Sequence, residues 1–543
     1  MLCTNKDIDS LISRLDEDNT ETSYLILGGF QSIRLPAALP IRPISLLYGP
    51  NSSGKSAISD ALRYLEWDLG SDERKSSFDR WLNIQSEGIV IGFSWLGSLS
   101  DLVWEAQRRF DRFCGDSLEY LLEGSIDEPP FEKTSPFRLT WLIRDNRYRD
   151  GSCTERVERV VDLYARTIRV ATLTWYDSEG VEFNVYRSGI EKLGNCPTNV
   201  RWLWASLGRI RCRNNPSNQD EFHVLDDDCL DVEWENLTRP WHPIDERPRL
   251  HMVTFTENDP YWVDNVVDLM GIFFSRPRLG IVADTHALGP IRPVLGEGDL
   301  RFLCHEEKAA VSLDSRSAEA NDIWRVLADD VADGVRKDTG SKGLLADVNR
   351  WLNDESFFGT DYCLLADPSE IVSLANDDGV TRRIMVEFWL RNGAGKKLSF
   401  GDVGTGFSQV LPIIIYALDG APTLFVEQPE LHLHPRIQHR LADLFIESIR
   451  RERCHFCIIE THSEHIALRV LRRIRETGRS DIPHSRWSVK PEEVSVLYFE
   501  PEGGQTFVHE LRIDSAGEFI DKWPRGFFEE RYEDLFDEPR VGD

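Results

Sequence analysis

The stretch GPNSSGKS, Gly49 to Ser56, constrains this chain more than any other. It follows the apolar run RPISLLYG and precedes SAISDALRYLEWDL, whose apolar spacing is helical, so it reads as a turn between a strand and a helix. Glycines at 49 and 54 let the backbone close tightly. The N–H groups of Asn51, Ser52, Ser53, Gly54 and Lys55 then converge on one point, backed by the N-terminus of the helix that starts near Ala57. Converging N–H groups make an anion cradle. Lys55 would reach the β- and γ-phosphates of a nucleotide, and the Ser56 hydroxyl would face Mg²⁺.

A second cluster lies far along the chain. APTLFVEQ is an apolar strand that delivers Glu427 to its C-terminal end, where open α/β sheets bind ligands and a carboxylate can support Mg²⁺. PRIQHRLADLFIESIRR is an amphipathic helix, CHFCIIETHS a buried strand and EHIALRVLRRIRETG another helix. The second strand carries His462 to a place where it can meet a γ-phosphate. Upstream, Gly404-Thr405-Gly406 precedes a helix and offers a second backbone-rich anion site. One glutamine complicates the picture. VEQPE puts Gln428 where a base is expected, and an amide takes no proton, although it can orient water. Glu430 is the nearest carboxylate that can take it.

Alternating strands and helices predict a doubly wound α/β core in two halves, near residues 25–70 and 395–475, with a second lobe inserted between them. Between about residues 85 and 280, GIVIGFSWL, FRLTWLIR, ATLTWYD and VEFNVYR read as strands and TERVERVVDLYART as a helix. No sustained heptad or internal repeat is visible. The expected boundaries are 1–100 for the first half of the head, 101–380 for the inserted α+β lobe, 381–480 for the second half and 481–543 for an extension with a solvated acidic tail.

Bulk properties exclude several classes. A formal charge of −29 argues against nucleic-acid wrapping by the whole surface, while leaving room for a local basic groove such as RVLRRIRETGR. No signal segment opens the chain, and VLPIIIYAL, Val410 to Leu418, is about half a membrane span. The 10 cysteines are scattered as reduced thiols of a cytosolic protein would be, and Cys454 and Cys457 read as strand packing.

The order of these motifs resembles an ABC-type ATPase head of the SMC/RecF/OLD group. It is closer still to a bacterial RecF-like branch ending in a W-P-x-G-F-F motif and found in phage-defence systems. The resemblance rests on GPNSSGKS, LGPIR, VNRWL, GDVGTGFSQVLPIIIYAL, VEQPELHLHPRIQHRLADLF, IETHSEHIALRVLRRI and GEFIDKWPRGFFEERYEDLF. It implies an ABC-type (RecF/SMC-like) nucleotide-binding head with a large inserted lobe and no long coiled coil. It also implies ATP and Mg²⁺ as cofactors, held by Ser56 and Glu427, with His462 sensing the γ-phosphate. Gly404 and Gly406 would contact ATP in trans, in a homodimer or higher oligomer of ATP-bridged heads. Gly404 departs from the serine usual in that turn. The stretch after His462 is too short for an appended nuclease domain, so an effector partner, nuclease or toxin, is implied. DNA binding in repair and an ATP-clamped scaffold are the alternatives. The expectation for catalysis is slow, dimer-dependent hydrolysis in which Glu430 matters more than Gln428.

Overall fold

The computed structural model describes residues 22–66, 89–98, 136–145, 155–163, 168–176, 182–189, 209–213, 221–224, 285–292, 301–304, 318–336, 343–375, 379–479 and 486–524, with Leu11 and Leu15. The acidic tail, the loop NNPSNQDE up to Asp220 and the end of the W-P-x-G-F-F motif lie outside them. In chain order the first strands are β1 (Ser23–Gly28), β2 (Ala37–Ile41), β3 (Ile44–Tyr48), β4 (Ile89–Ser98), β5 (Pro136–Asp145) and β6 (Glu155–Leu163). There follow β7 (Ile168–Tyr176), β8 (Glu182–Gly189), β9 (Arg209–Arg213), β10 (Glu221–Val224), β11 (Thr285–Leu288) and β12 (Arg301–Cys304). The last are β13 (Cys363–Ala375), β14 (Gly379–Arg391), β15 (Lys397–Leu398), β16 (Thr423–Glu427), β17 (Phe456–Glu460), β18 (Val494–Glu502) and β19 (Gln505–Glu510). The helices are α1 (Ala57–Glu66), α2 (Ala318–Arg336), α3 (Leu344–Asn353), α4 (Thr405–Asp419), α5 (Pro435–Arg450) and α6 (Glu464–Thr477).

The chain divides into two compact units, residues 1–40, 60–283 and 501–507 in one and 41–59, 284–500 and 508–543 in the other. The first is built on an antiparallel sheet ordered β10-β9-β8-β7-β6-β5-β4-β1-β2. Ile26 and Val90 are buried there with Leu11 and Leu15. Within TERVERVVDLYART, expected as a helix, Glu155–Leu163 forms strand β6, paired antiparallel with β5 and β7. Val157, Val160 and Val161 have helical spacing. They are also β-branched, and two flanking strands satisfy the backbone in the sheet, so long-range pairing overrides the local pattern.

The second unit holds a six-stranded sheet ordered β11-β16-β17-β3-β18-β19, in which β11, β16, β17, β3 and β18 run parallel. ISLLY, TLFVE and FCIIE are continuous apolar runs, as parallel strands covered on both faces require. Helix α4 is buried from Ser408 to Leu418, which is why its sequence shows almost no polar face. Gly420 ends it at φ 107°, a left-handed conformation that glycine adopts without a Cβ penalty. Residues 284–380, which the sequence assigned to the inserted lobe, belong here. β11 extends the parallel sheet, and Trp324, Leu327, Val348 and Trp351 of α2 and α3 join the same core. Residues 486–524, expected as an extension, supply β18 beside β3, while Trp523 packs edge-on to Tyr48 at 5.3 Å. The longest helix among the described residues has 19 residues, so none of them forms a long coiled coil.

Helices α5 and α6 are locked by a buried ionic cluster. Asp443 is fully buried and accepts from Arg469 Nη2 at 2.6 Å and Arg473 Nε at 2.7 Å. Burial alone would raise the Asp443 carboxyl. The hydrogen bonds and charges of Arg469 and Arg473 hold it below its ordinary value instead. Arg475 caps the carbonyls of Ala516 and Gly517, and Arg472 pairs with Glu476. Of the basic stretch RVLRRIRETGR, Arg469 and Arg473 are therefore committed within the fold, while Arg472 and Arg475 stay exposed.

Asp443→Ala strands two guanidinium groups, and is expected to cost about 3–5 kcal/mol, read from urea unfolding at neutral pH. Because this carboxyl is depressed on folding, its stabilisation is present above the ordinary carboxylate range and is lost as pH falls from there through its lowered folded value. The penalty of the variant should therefore shrink in acid.

Candidate functional site

Three parallel strands end side by side. β3 runs into the turn Gly49–Ser56, β17 ends at Glu460 before Thr461-His462-Ser463, and β16 ends at Glu427 before Gln428. β17 lies in the middle, with Glu460 opposite Leu47 on one side and opposite Glu427 on the other.

The turn expected to cradle phosphates is tightly closed. Gly49, Ser52 and Gly54 take φ of 144°, 61° and 91°. A Cβ on Gly49 would lie 2.5 Å from the Phe499 carbonyl oxygen, so only glycine fits. Of the five N–H groups expected to converge, that of Ser53 donates within the turn to the Pro50 carbonyl at 3.3 Å. Lys55 is buried and donates through Nζ to the carbonyls of Gly49 at 3.0 Å and Pro50 at 2.9 Å. Glu460 reaches both functional side chains of the turn. Its Oε1 is 3.8 Å from Lys55 Nζ, and its Oε2 accepts from Ser56 Oγ at 3.1 Å.

Burial pushes the Lys55 ammonium below its ordinary value, against the opposing pull of Glu460 and Glu430. Burial pushes the Glu460 carboxyl up, offset by Lys55 and the Ser56 bond and reinforced by Glu430. Both shifts act against the charged forms. The cradle has charges without full solvation, and an anion over Lys55 with a cation beside Glu460 would relieve both.

The turn after β16 is stitched to the turn after β17. Gln428 donates its N–H to the Glu460 carbonyl at 2.7 Å and is held at φ 44°. A left-handed non-glycine residue costs about 1–3 kcal/mol, a strain that clusters at functional sites. Glu430 accepts from Thr461 Oγ1 at 2.8 Å and from the His462 N–H at 2.7 Å, so both its carboxylate oxygens anchor the neighbouring turn. Ser463 Oγ donates to Gln438 of α5 at 2.7 Å, and Gln438 Nε2 donates to the Leu433 carbonyl at 3.0 Å. Burial pushes the Glu430 carboxyl up despite these bonds. His462 Nε2 is buried with no hydrogen-bond partner among the described residues. Burial, then the charge of Lys55, lowers its imidazole below the ordinary value, so it is neutral near pH 7.

Behind Glu427 sits Arg292, 3% exposed, whose Nη2 donates to the Glu427 carbonyl at 2.7 Å. Its backbone is gripped by Gln409 of α4. The Arg292 N–H donates to Oε1 at 3.0 Å and Gln409 Nε2 donates to the Arg292 carbonyl at 2.6 Å. Burial lowers the Arg292 guanidinium to about 10, and Glu430 and Glu427 oppose that fall. α4 thus bonds directly to the residue that holds the end of β16.

The first turn of α4 carries Gly404, Thr405 and Gly406. Gly404 and Thr405 are exposed, and the N-cap Gly404 provides no side-chain cap. Gly406 packs where a Cβ would lie 2.6 Å from the His432 carbonyl oxygen.

The structure therefore brings together Gly49, Asn51, Ser52, Ser53, Gly54, Lys55, Ser56 and Ala57 with Glu427, Gln428, Glu430 and His462, and leaves Gly404 and Thr405 facing outward. Sequence reasoning missed Glu460, Arg292 and Gln409. Glu460 carried the same signal as Glu427, an acid closing an apolar strand. The residues present fit a magnesium nucleotide: a glycine-lined cradle, a lysine, a serine hydroxyl beside a carboxylate, and an unpartnered histidine nitrogen.

Residues 305–469 match the family described as "AAA domain, putative AbiEii toxin, Type IV TA system", and residues 489–537 match one described as a protein of unknown function, DUF3696. The first match takes in α4, β16 and β17 and leaves out the turn at 49–56. No curated protein matches the chain. Among solved structures it is similar to an SMC head bound to the C-winged helix domain of ScpA, with 13% identity, TM-score 0.34, and coverage of 92% of this chain and 100% of that one. The SMC head domain from Thermotoga maritima gives 11%, TM-score 0.31, and coverage of 91% and 100%. The recombination mediator RecF with a bound ATP analogue gives 11%, TM-score 0.28, and coverage of 90% and 97%. At such identities residue roles rest on the geometry above.

The two glycines of the α4 turn should separate in a stability measurement. Gly406→Ala is expected to lose about 1–3 kcal/mol from the forced contact. Gly404→Ala, with φ −61° and open space around it, should melt with the wild type. Equal melting of both variants would contradict the packing of this turn on His432.

Proposed function

We propose that this chain, whose residues 305–469 match an AAA domain, is an ABC-type ATPase that binds ATP with Mg²⁺ and hydrolyses it slowly, as a switch that closes two heads on each other. The observation that carries this reading is the convergence of Lys55, Ser56, Glu460, Glu430 and His462 at the ends of three adjacent parallel strands. Lys55 leaves the carbonyls of its own turn to meet the β- and γ-phosphates. Ser56 and Glu427 would hold Mg²⁺ when it is bound. The free Nε2 of His462 donates to the γ-phosphate.

When bound, the cation neutralises charge on the phosphates and polarises the bond to be broken. The chain's residues do the rest. Gln428, held in its strained turn, orients a water by hydrogen bonds. Glu430 keeps His462 in place and is the carboxylate assigned to accept a proton. The exposed first turn of α4 supports a trans contact, in which Gly404, Thr405 and Gly406 of one chain close on the nucleotide of another, satisfying both sites of a two-fold dimer.

The larger role proposed is an ATP-gated sensor in bacterial anti-phage defence, working in the cytoplasm with a nuclease or toxin partner. The description of the matched domain as a toxin–antitoxin component supports that setting. A RecF-like DNA-binding role in repair is the second reading. It is weakened by the commitment of Arg469 and Arg473 to the buried Asp443.

Steady-state ATP turnover tests the assignment. Lys55→Ala should abolish binding and turnover. Glu430→Gln should reduce kcat by about 10²-fold or more, the scale of a general acid–base group, and Gln428→Ala by less. Gly404→Ala should still bind ATP and yet fail to form the ATP-dependent dimer in size-exclusion chromatography with light scattering. Equal turnover in the Glu430 and Gln428 variants, or full turnover in Lys55→Ala, would refute it.

A further inference from the structure

Two acidic strand ends compete for the divalent cation of this site, and their distances from the cradle differ. β17 is hydrogen-bonded directly to β3, whereas β16 lies one strand further out. With strands about 4.8 Å apart, Glu460 starts one strand spacing from the phosphate loop and Glu427 two. The side chains follow the backbone. The single proton of the Ser56 hydroxyl is donated to Glu460 Oε2 at 3.1 Å, and the other oxygen of that carboxylate faces Lys55 Nζ at 3.8 Å.

We propose that Glu460 is the principal protein carboxylate for the divalent cation that accompanies the nucleotide, acting with the Ser56 hydroxyl, and that Glu427 plays a supporting part. The inference rests on the nucleotide reading above. A hard cation that keeps several waters is usually bound by one or two carboxylates together with substrate phosphates, and a serine with one neighbouring glutamate meets that need. The carboxylate is positioned before any metal arrives. Thr461 donates its N–H to the Leu47 carbonyl at 3.1 Å, and Gln428 donates to the Glu460 carbonyl at 2.7 Å, so the residue is pinned to both flanking strands. A cation entering between Ser56 and Glu460 replaces the Ser56 hydrogen bond with two oxygen ligands. Lys55 is then free to move to the phosphates.

This arrangement makes a prediction that a purely structural glutamate would not. Without metal, Glu460 repels a phosphate chain held a few ångströms away; with metal, it attracts the complex. Glu460→Gln, which keeps the shape, should therefore bind a non-hydrolysable ATP analogue in EDTA at least as tightly as the wild type. At the same time it should lose most of the gain that Mg²⁺ confers. Mn²⁺ titrated into the full chain with the same analogue, followed by electron paramagnetic resonance, should show affinity reduced about 10–100-fold in Glu460→Gln and less in Glu427→Gln. Glu460→Asp, which retains charge on a shorter arm, should fall between the two. Thermal melting in EDTA confirms that each variant is folded. Unchanged Mn²⁺ affinity in both Glu460 variants, or a larger loss in Glu427→Gln, overturns the inference and leaves the nucleotide reading intact. Failure of the wild type itself to bind the analogue better than Lys55→Ala overturns both.

Discussion

The register between β16, β17 and β3 is the constraint on which the site depends. Glu427, Glu460 and Leu47 lie opposite one another across the three strands, and the bond from Gln428 to the Glu460 carbonyl locks the outer pair. Side chains alternate along a strand, so a slip of one residue would turn Glu460 away from Ser56 and bring an isoleucine in its place. The slip is opposed by the core. Cys457 and Ile459 would both change faces with it, and both are buried in one continuous cluster that includes α4. Packing thus fixes the chemistry. The apolar pattern that makes these runs strands also aims their terminal acids.

Charge is handled differently in the scaffold and at the cradle. Asp443, Arg469, Arg473 and Glu476 form a network around the buried Asp443 in which each ion has a partner, and Glu447 is met by Arg350 and Arg451. At the cradle, Lys55 leans on backbone carbonyls and a carboxylate at 3.8 Å, and His462 keeps an unpartnered nitrogen. Buried groups served this incompletely are costly unless a ligand completes them. Arg292 connects this edge to the rest of the unit, because Gln409 grips its backbone while its side chain holds the end of β16. A displacement of α4 would therefore be felt at Glu427 through two hydrogen-bonded steps.

The phosphate turn was legible in the sequence because its requirements are local: glycines where φ is positive, a lysine and a serine at set spacing. The strands of the parallel sheet were legible for the same reason, since apolar runs of five residues ending in acids have few other uses. Glu460 was not singled out, because its meaning comes from adjacency to β3, and no sequence spacing reports which strand lies next to which. The same holds for β11, four residues long, and for Arg292, which acts over 100 residues away in the chain from Gln409 and Glu427. TERVERVVDLYART misled because valines at helical spacing are equally compatible with a strand once neighbours pair with it. Residues 284–380 were assigned to the wrong side of a boundary for a related reason: α2 and α3 look like any amphipathic helices until their core partners are known.

The central claim, that a nucleotide's phosphates lie over Lys55 with the metal between Ser56 and Glu460, is tested most directly by a structure of the full chain with a non-hydrolysable ATP analogue and Mg²⁺. The account predicts that Lys55 Nζ leaves the Gly49 and Pro50 carbonyls for the γ-phosphate at about 3 Å, with the cation about 2.1 Å from Ser56 Oγ. A nucleotide bound elsewhere, or a Lys55 still bonded to its own turn with the analogue present, would contradict it.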